Sequence, residues 1–211
     1  VMNFEFDFST LLNKKLDVQF YLQNTKTVAK ELIGKILVHR LNDIVLSGII
    51  VETEAYLSKN DLASHSAPGK TERNSVMFQS GGKLYVYKIY GIHHCINVVT
   101  EREGIGAAVL IRSIQPITGI EQMMKFRNTK IIENLCKGPG NVAKAFGFNL
   151  KHNGMSLLSN DLFIFSNNSI DLTDIAQTIR IGISKSKSLK LRFFLKNSNF
   201  VSGTKRQNSI L

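Results

Sequence analysis

Two runs rich in β-branched residues, Lys35–Leu41 and Ile44–Tyr56, are separated only by Asn42-Asp43. Asn and Asp tolerate the positive φ that a two-residue connection demands, so this dipeptide commits its flanks to an antiparallel hairpin. Leu84–Tyr90 and His93–Thr100 form a second such pair, hinged at Gly91, and Ala107–Ile114 reads as a further buried strand. Asp161–Ser166, Thr178–Ile183 and Leu191–Lys196 have the pattern of short strands. Helical spacing is rarer. Thr25–Ile33 carries apolar Val28, Ala29, Leu32 and Ile33, with Thr25 as N-cap and Gly34 at C′. Thr118–Phe126 has a helical pattern, and Pro139–Phe146 opens a helix after Gly138. Strands outnumber helices and short turns join most neighbours, which predicts an α+β domain with a mixed but largely antiparallel sheet and flanking helices. Asp61–Gln79, with Pro68-Gly69, reads as a long loop, and a loop of that length inside a domain is usually functional.

With 211 residues and no internal repeat or long linker, the chain is expected to be one domain over 1–211, its ends near 1–20 and 203–211 loosely ordered. No apolar stretch approaches the roughly 20 residues of a membrane span. Val1–Asp7 lacks a basic start before an apolar run, so no targeting signal and no membrane partner are expected, and the location is expected to be cytoplasmic, or nucleoid-associated in a bacterium. Cys95 and Cys136, without CxxC spacing, look like buried small hydrophobes. The formal charge is +11, and from Ile175 to Leu211 there are eight cations (Arg180, Lys185, Lys187, Lys190, Arg192, Lys196, Lys205, Arg206) with no Asp or Glu. Phosphate is the commonest partner for such an excess, although a merely soluble basic surface is an equal reading of charge alone.

Val51-Glu52-Thr53-Glu54-Ala55-Tyr56 places Glu52, Glu54 and Tyr56 on one face of a strand. Two carboxylates on an Ile/Val strand need cationic partners, hydrogen bonds or water, whether they serve catalysis, a structural ion pair or a solvated strand end. Arg112 follows the apolar run Ala107–Ile111, and Asn97 lies inside Cys95–Val99; either is costly in a core without partners. Glu54 is the natural partner of Arg112, with a structural ion pair as the equal alternative. Four of the five tyrosines, Tyr56, Tyr85, Tyr87 and Tyr90, fall in one stretch. Tyr90, beside Gly91 at a hairpin tip, suits insertion between stacked bases, whereas Tyr85 and Tyr87 alone read as half-buried strand aromatics. His65, His93, His94 and Cys95 raise the question of a metal, but His93 and His94 point to opposite faces and no HExxH exists, so no metal site is expected. No GxSxG or GxxxxGK[ST] occurs either.

The segments VETEAYL(x)₇HS, ERNSVMF, LYVYKIYGIHHCINVV and AAVLIRSIQP resemble the alkyladenine (3-methyladenine) DNA glycosylase family, over about Thr27 to Leu191-Arg192-Phe193-Phe194 and including CKGPGNVAKAFG. The resemblance implies a monofunctional base-excision enzyme on a curved antiparallel sheet with a protruding hairpin. It implies that Glu54 activates water and Arg112 helps hold it. Tyr56, His65, Tyr87 and Asn97 line the damaged-base pocket, and Tyr90, with Tyr85 beside it, serves intercalation at the minor groove. Lys83, Lys88, Arg73 and Lys137 are the expected phosphate contacts. Glu52 is expected to be structural. The implied partner is double-stranded DNA, met by a monomer without cofactor or metal.

In that chemistry an alkylated purine such as 3-methyladenine or 7-methylguanine (with hypoxanthine and ethenoadenine as further candidates) is flipped out of the duplex. Tyr faces favour its positive charge. Glu54, kept ionised by Arg112, takes a proton from the water that attacks C1′. No Lys stands out as a Schiff-base nucleophile, so an abasic site without strand cleavage is the expected product. The alternative function is a non-catalytic, sequence-independent nucleic-acid-binding domain using the same basic surface; a metal-dependent nuclease is a third reading.

Overall fold

The computed structural model describes residues 13–89, 91–166 and 171–209. β1 (Ile36–Leu41) and β2 (Ile44–Tyr56) pair antiparallel from Leu41↔Ile44 to Ile36↔Ile49. Asn42 turns between them at φ 54°, the left-handed conformation that Asn accepts at low cost. The second hairpin follows as β3 (Leu84–Ile89) and β4 (His93–Val99), then come β5 (Ala108–Thr118), β6 (Leu162–Phe165), β7 (Ile175–Thr178) and β8 (Arg192–Leu195). The sheet runs β3-β4-β5-β2-β1-β6, with β8 joining β2 and β7 joining β8. Every pairing between these strands is antiparallel.

β2 is the axis of the molecule. One edge pairs with β5 from Ser47 to Tyr56. The other edge is shared, Ile44–Ile49 bonding to β1 and Glu52–Glu54 to β8. A strand whose partner changes halfway makes the sheet curl. The β2–β5 register slips around Glu52, so that Val51 and Arg112 are skipped between Ile50↔Ile114, Glu52↔Ser113 and Thr53↔Ile111. Such a bulge twists the ladder and re-aims side chains. At the earlier slip, Gly48 lets the strands close: a Cβ there would meet Ile114 Cγ2 at 2.4 Å and Gln115 O at 2.6 Å.

The core lies between the sheet and the helices Thr25–Glu31, Ile120–Arg127 and Pro139–Ala145, joining Val28, Ala29 and Leu32 to Ile50, Ile96 and Ile111, and Met123, Val142 and Phe146 to Ile114. Thr53, on the face of β2 opposite Glu52 and Glu54, donates to Ala29 O at 2.7 Å. Both cysteines are free and buried.

Three local expectations change. The N-cap of the first long helix is Asn24, whose side chain accepts from Lys26 N–H at 3.0 Å, while buried Thr25 is bonded to Glu101. The helix expected from Thr118 starts at Ile120, because β5 extends to Thr118 and Gly119 turns the chain at φ 71°. The strand expected over Thr178–Ile183 lies instead at Ile175–Thr178. Residues 179–183 leave the sheet because their polar groups have other partners: Arg180 pairs with Asp61, and Ile181 N–H donates to Glu54. The Asp61–Gln79 loop holds one 3-10 turn, Ser75–Phe78.

Candidate active site

Glu54, on the sheet-centre strand β2, is fully buried. Its Oε1 accepts the Ile181 N–H at 2.8 Å and lies 3.4 Å from Arg112 Nη1. Its Oε2 accepts the Tyr56 hydroxyl at 2.9 Å. Tyr56, Ile181 and Arg112 all line a cavity of about 490 Å³, so the carboxylate stands one hydrogen bond behind the cavity wall. His65, Met77, Tyr85, Tyr87, Cys95, Asn97 and Leu110 complete the inner wall, with Arg73 and Lys88 among the remaining residues around it.

The register explains this convergence. Glu52 and Glu54 share a face by strand period, and the bulge turns Arg112 towards both. Arg112 Nε donates to Glu52 Oε1 at 3.0 Å. Glu52 also accepts from Arg192 Nε at 2.7 Å, Ser113 Oγ at 2.9 Å and the Ser202 N–H at 2.8 Å. The two carboxyls consequently diverge. Burial raises Glu52, but the two guanidiniums and Ser202 outweigh it and hold its carboxyl below the usual range. Burial also pushes Glu54 up, and there Arg112, the Ile181 N–H and Tyr56 recover only part of the shift, so it stays above the ordinary carboxylate value. Arg112 does pull Glu54 down, as expected, but it is shared with Glu52 and desolvation prevails, so the net shift is upward.

Aromatic rings form much of the cavity wall. Tyr85 and Tyr87 lie 5.5 Å apart between centroids, and His65 meets Tyr87 edge-on at 4.5 Å. His65 Nδ1 is 3.1 Å from the Tyr85 hydroxyl. Burial, reinforced by Arg73, lowers the His65 pKa, which leaves the ring neutral at pH 7. Tyr85 is 1% exposed and packs on Val76, Met77 and Val99. Tyr85, expected beside Tyr90 at the minor groove, is turned inward beside Tyr87, with its hydroxyl against His65. Asn97 is buried and donates from Nδ2 to Tyr85 O at 3.1 Å. Tyr90 lies outside the described residues.

The 57–79 loop is built to hold His65. Asn74 Nδ2 donates to His65 O at 2.8 Å and Gly69 O at 2.9 Å. Asp61 accepts Leu57 N–H and Ala63 N–H and both terminal nitrogens of Arg180, at 2.7 and 2.6 Å. The Arg180 guanidinium lies over the Tyr56 ring, 4.6 Å from its centroid. Arg73 Nη2 donates to Lys88 O at 3.2 Å and ties the loop to β3. Of the expected phosphate contacts, exposed Arg73 and Lys88 rim the cavity. Lys83 sits at the far end of β3 in a bridge with Ser156, and Lys137 Nζ donates to Asn199 O at 3.1 Å; neither lines the cavity.

Arg180, Asp61, Ile181, Arg192 and Ser202 were not anticipated as parts of the site. Arg192 had a signal. It interrupts the apolar Leu191–Leu195 run as Arg112 interrupts its own strand, and an arginine there needs buried partners. Two of the eight C-terminal cations, Arg180 and Arg192, are thus consumed inside the protein. Among the described residues no three His, Cys, Asp or Glu side chains cluster to hold a metal, and no helix is long and apolar enough to cross a membrane.

Comparison with known proteins is consistent along the chain. The family model described as "Methylpurine-DNA glycosylase (MPG)" matches residues 19–199. A protein of Francisella tularensis subsp. tularensis named "Putative 3-methyladenine DNA glycosylase" is 49% identical over 181 residues, 84% of this chain and 93% of that protein. Proteins of the same name from Methanoculleus marisnigri and Chlorobium phaeobacteroides are 45% and 43% identical, covering 89% and 91% of this chain and 98% and 97% of theirs.

Proposed function

The chain belongs to the methylpurine-DNA glycosylase family, and we propose that it excises alkylated purines, such as 3-methyladenine and 7-methylguanine, from duplex DNA by hydrolysis, leaving an abasic site. The observation that carries this reading is the Glu54 carboxylate, one hydrogen bond behind an aromatic cavity and flanked there by Arg112 and the Ile181 N–H. A purine extruded from the stack fits a cavity of this size, and the cost of extrusion, a few kcal/mol, is lowest for a damaged base.

The ring walls suit a cationic base. Arg180 covers one face of Tyr56, so the other face is the one available for stacking. Together with Tyr87 and neutral His65 it offers electron-rich surface, each cation–π contact contributing about 0.5–2 kcal/mol. Asn97, fixed to Tyr85 O, crowds one edge of the pocket and supplies selection among purines.

An N3- or N7-alkylated purine leaves with the electron pair of its C1′–N bond, which neutralises its charge. Positive charge then develops at C1′. Glu54 offsets that charge and accepts a proton from water as the water oxygen bonds to C1′, giving a hydroxyl on the sugar. Arg112, pinned at Nε by Glu52, presents Nη1 towards Glu54 and, lining the cavity beside it, steadies the attacking water. The raised basicity of a buried carboxylate serves this step. No covalent enzyme–DNA adduct forms on this route, and borohydride traps none.

Glu54→Gln keeps the shape and removes the base. Single-turnover release of 7-methylguanine from methylated duplex is expected to fall by at least about 10²-fold, as general-base loss predicts, while DNA affinity persists. Release at the wild-type rate by the variant would overturn the assignment of Glu54. Failure of the wild-type protein to release any alkylated base, with salt-sensitive binding retained, would leave the binding-module reading instead.

A further inference from the structure

We infer that Glu52 is a positioning residue for base excision, and that the C-terminal segment from Val201 to Asn208 completes its setting; the inference rests on the excision reading above. Arg112 uses three nitrogens in three directions. Nε donates to Glu52 Oε1 at 3.0 Å, Nη2 to Ser202 Oγ at 3.3 Å, and Nη1 faces Glu54 Oε1 at 3.4 Å. The first two are the shorter contacts. A planar guanidinium held at two corners has its remaining corner aimed.

Glu52 has no lone pair left for substrate. Oε1 accepts from Arg112 and Arg192, and Oε2 from Ser113 Oγ and the Ser202 N–H. Arg192, fully buried, donates its other hydrogens to Thr178 Oγ1, Gln207 O, Ser202 O and Asn208 Oδ1 at 2.7–3.2 Å. Strands β5 and β8 and Ser202 therefore meet on one carboxylate, and Gln207 and Asn208 are tied to it through Arg192. The family match ends at residue 199, and the composition beyond Gly203 reads as a loose end, yet Ser202, Gln207 and Asn208 close this circuit.

Stability alone is a poor reason for such a cluster, because replacing a buried Arg–carboxylate–Arg group by apolar side chains is often neutral or stabilising. Competition for Arg112 is a better one. Without the Glu52 charge, Arg112 is free to swing from its 3.4 Å contact into a tighter ion pair with Glu54, which weakens Glu54 as a base and turns the guanidinium away from the cavity. The groups facing Glu54 are Glu52 and Tyr56 from β2, Arg112 from β5, Tyr87 from β3, Cys95 from β4 and the Ile181 N–H; Arg192, opposite it on β8, is bound to Glu52. Loss of the Glu52 charge removes repulsion and strengthens Arg112 attraction, and both lower the pKa of Glu54.

The test is single-turnover release of 7-methylguanine at saturating enzyme across pH 4.5–8.5, with the active fraction taken separately by titrating the enzyme with DNA in excess. For Glu52→Gln the rate is expected to drop on the order of 10- to 100-fold, as for a sub-ångström to ångström misplacement of a catalytic group. Its acid limb moves to lower pH. Ser202→Ala removes one hydrogen bond from Arg112 and lowers the rate roughly 3- to 10-fold with little change in melting temperature; it decides the matter should Glu52→Gln fail to fold. If the wild-type enzyme is active but the variants that fold keep its rate constant and acid limb, losing only active fraction or thermal stability, the cluster is structural and the inference is overturned. An inactive wild type would instead refute the excision reading itself.

Discussion

The hydroxyl and the ring of Tyr56 have separate duties. The ring has Arg180 on one face and the cavity beside it, while the hydroxyl donates to Glu54 Oε2 at 2.9 Å. Tyr56→Phe keeps the ring and deletes the donor. A donor to a carboxylate favours its ionised form, so its loss raises the Glu54 pKa further. In the proposed mechanism Glu54 acts as an anion, so activity is expected to disappear at higher pH on acidification than in wild type, with DNA affinity little changed. An acid limb that stays in place or moves down would contradict this pairing. Glu54 and Arg112 were legible because a charged side chain in an apolar strand demands a partner. Read from the residues alone, Tyr85 is a half-buried strand aromatic, and only the family resemblance put it beside Tyr90 at the minor groove; its packing against Val76 and Met77 agrees with the residue reading.

At the scale of elements, the hairpins followed from their turns, and the misplaced strand at 178–183 followed from partners far away in sequence. Arg180 binds Asp61 across 119 residues and Ile181 binds Glu54 across 127. No local pattern encodes such bonds. β1 carries a comparable case. His39 is 2% exposed, its Nδ1 is 2.8 Å from Phe146 O, and its ring stacks on Phe148 at 4.4 Å. A carbonyl only accepts, so Nδ1 carries the proton. Burial, aided by His152 and opposed by Phe146 O and Asp161, lowers the pKa to about 4. Between that value and the ordinary 6.5 the unfolded chain takes a proton that the native one excludes, so stability rises with pH through this window and is lost on acidification. From pH 7 to pH 5 the His39 contribution amounts to about 2 kcal/mol. Urea midpoints should therefore fall further in wild type than in His39→Gln over that interval. An equal fall in both would show that His39 is not the titrating group.

Across the whole molecule, a bare count of cations misstates what DNA meets. The guanidiniums of Arg180, Arg192 and Arg112 are turned inward onto Asp61, Glu52 and Glu54, three charges of each sign, so the net +11 is carried by other residues. The cations at the cavity rim are Arg73 and Lys88. A cation that neutralises one phosphate contributes about 0.9 to the slope of log affinity against log salt. Arg73→Ala and Lys88→Ala are each expected to lower the slope by that amount, and Lys83→Ala, at the other end of β3, to leave it unchanged. A slope unaffected by either rim change would move the phosphate track elsewhere. Taken alone, the amino-acid order determined the antiparallel hairpins, the side-by-side carboxylates and the residues whose chemistry matches a family, because these depend on periodicity, turn conformation and near neighbours along the chain. Only the tertiary structure decided which carboxyl is saturated and which is held basic, where Arg112 points, and that residues 201–208 reach the site. Those outcomes depend on desolvation and on hydrogen bonds between segments up to 150 residues apart, and neither exists until the sheet has closed around β2.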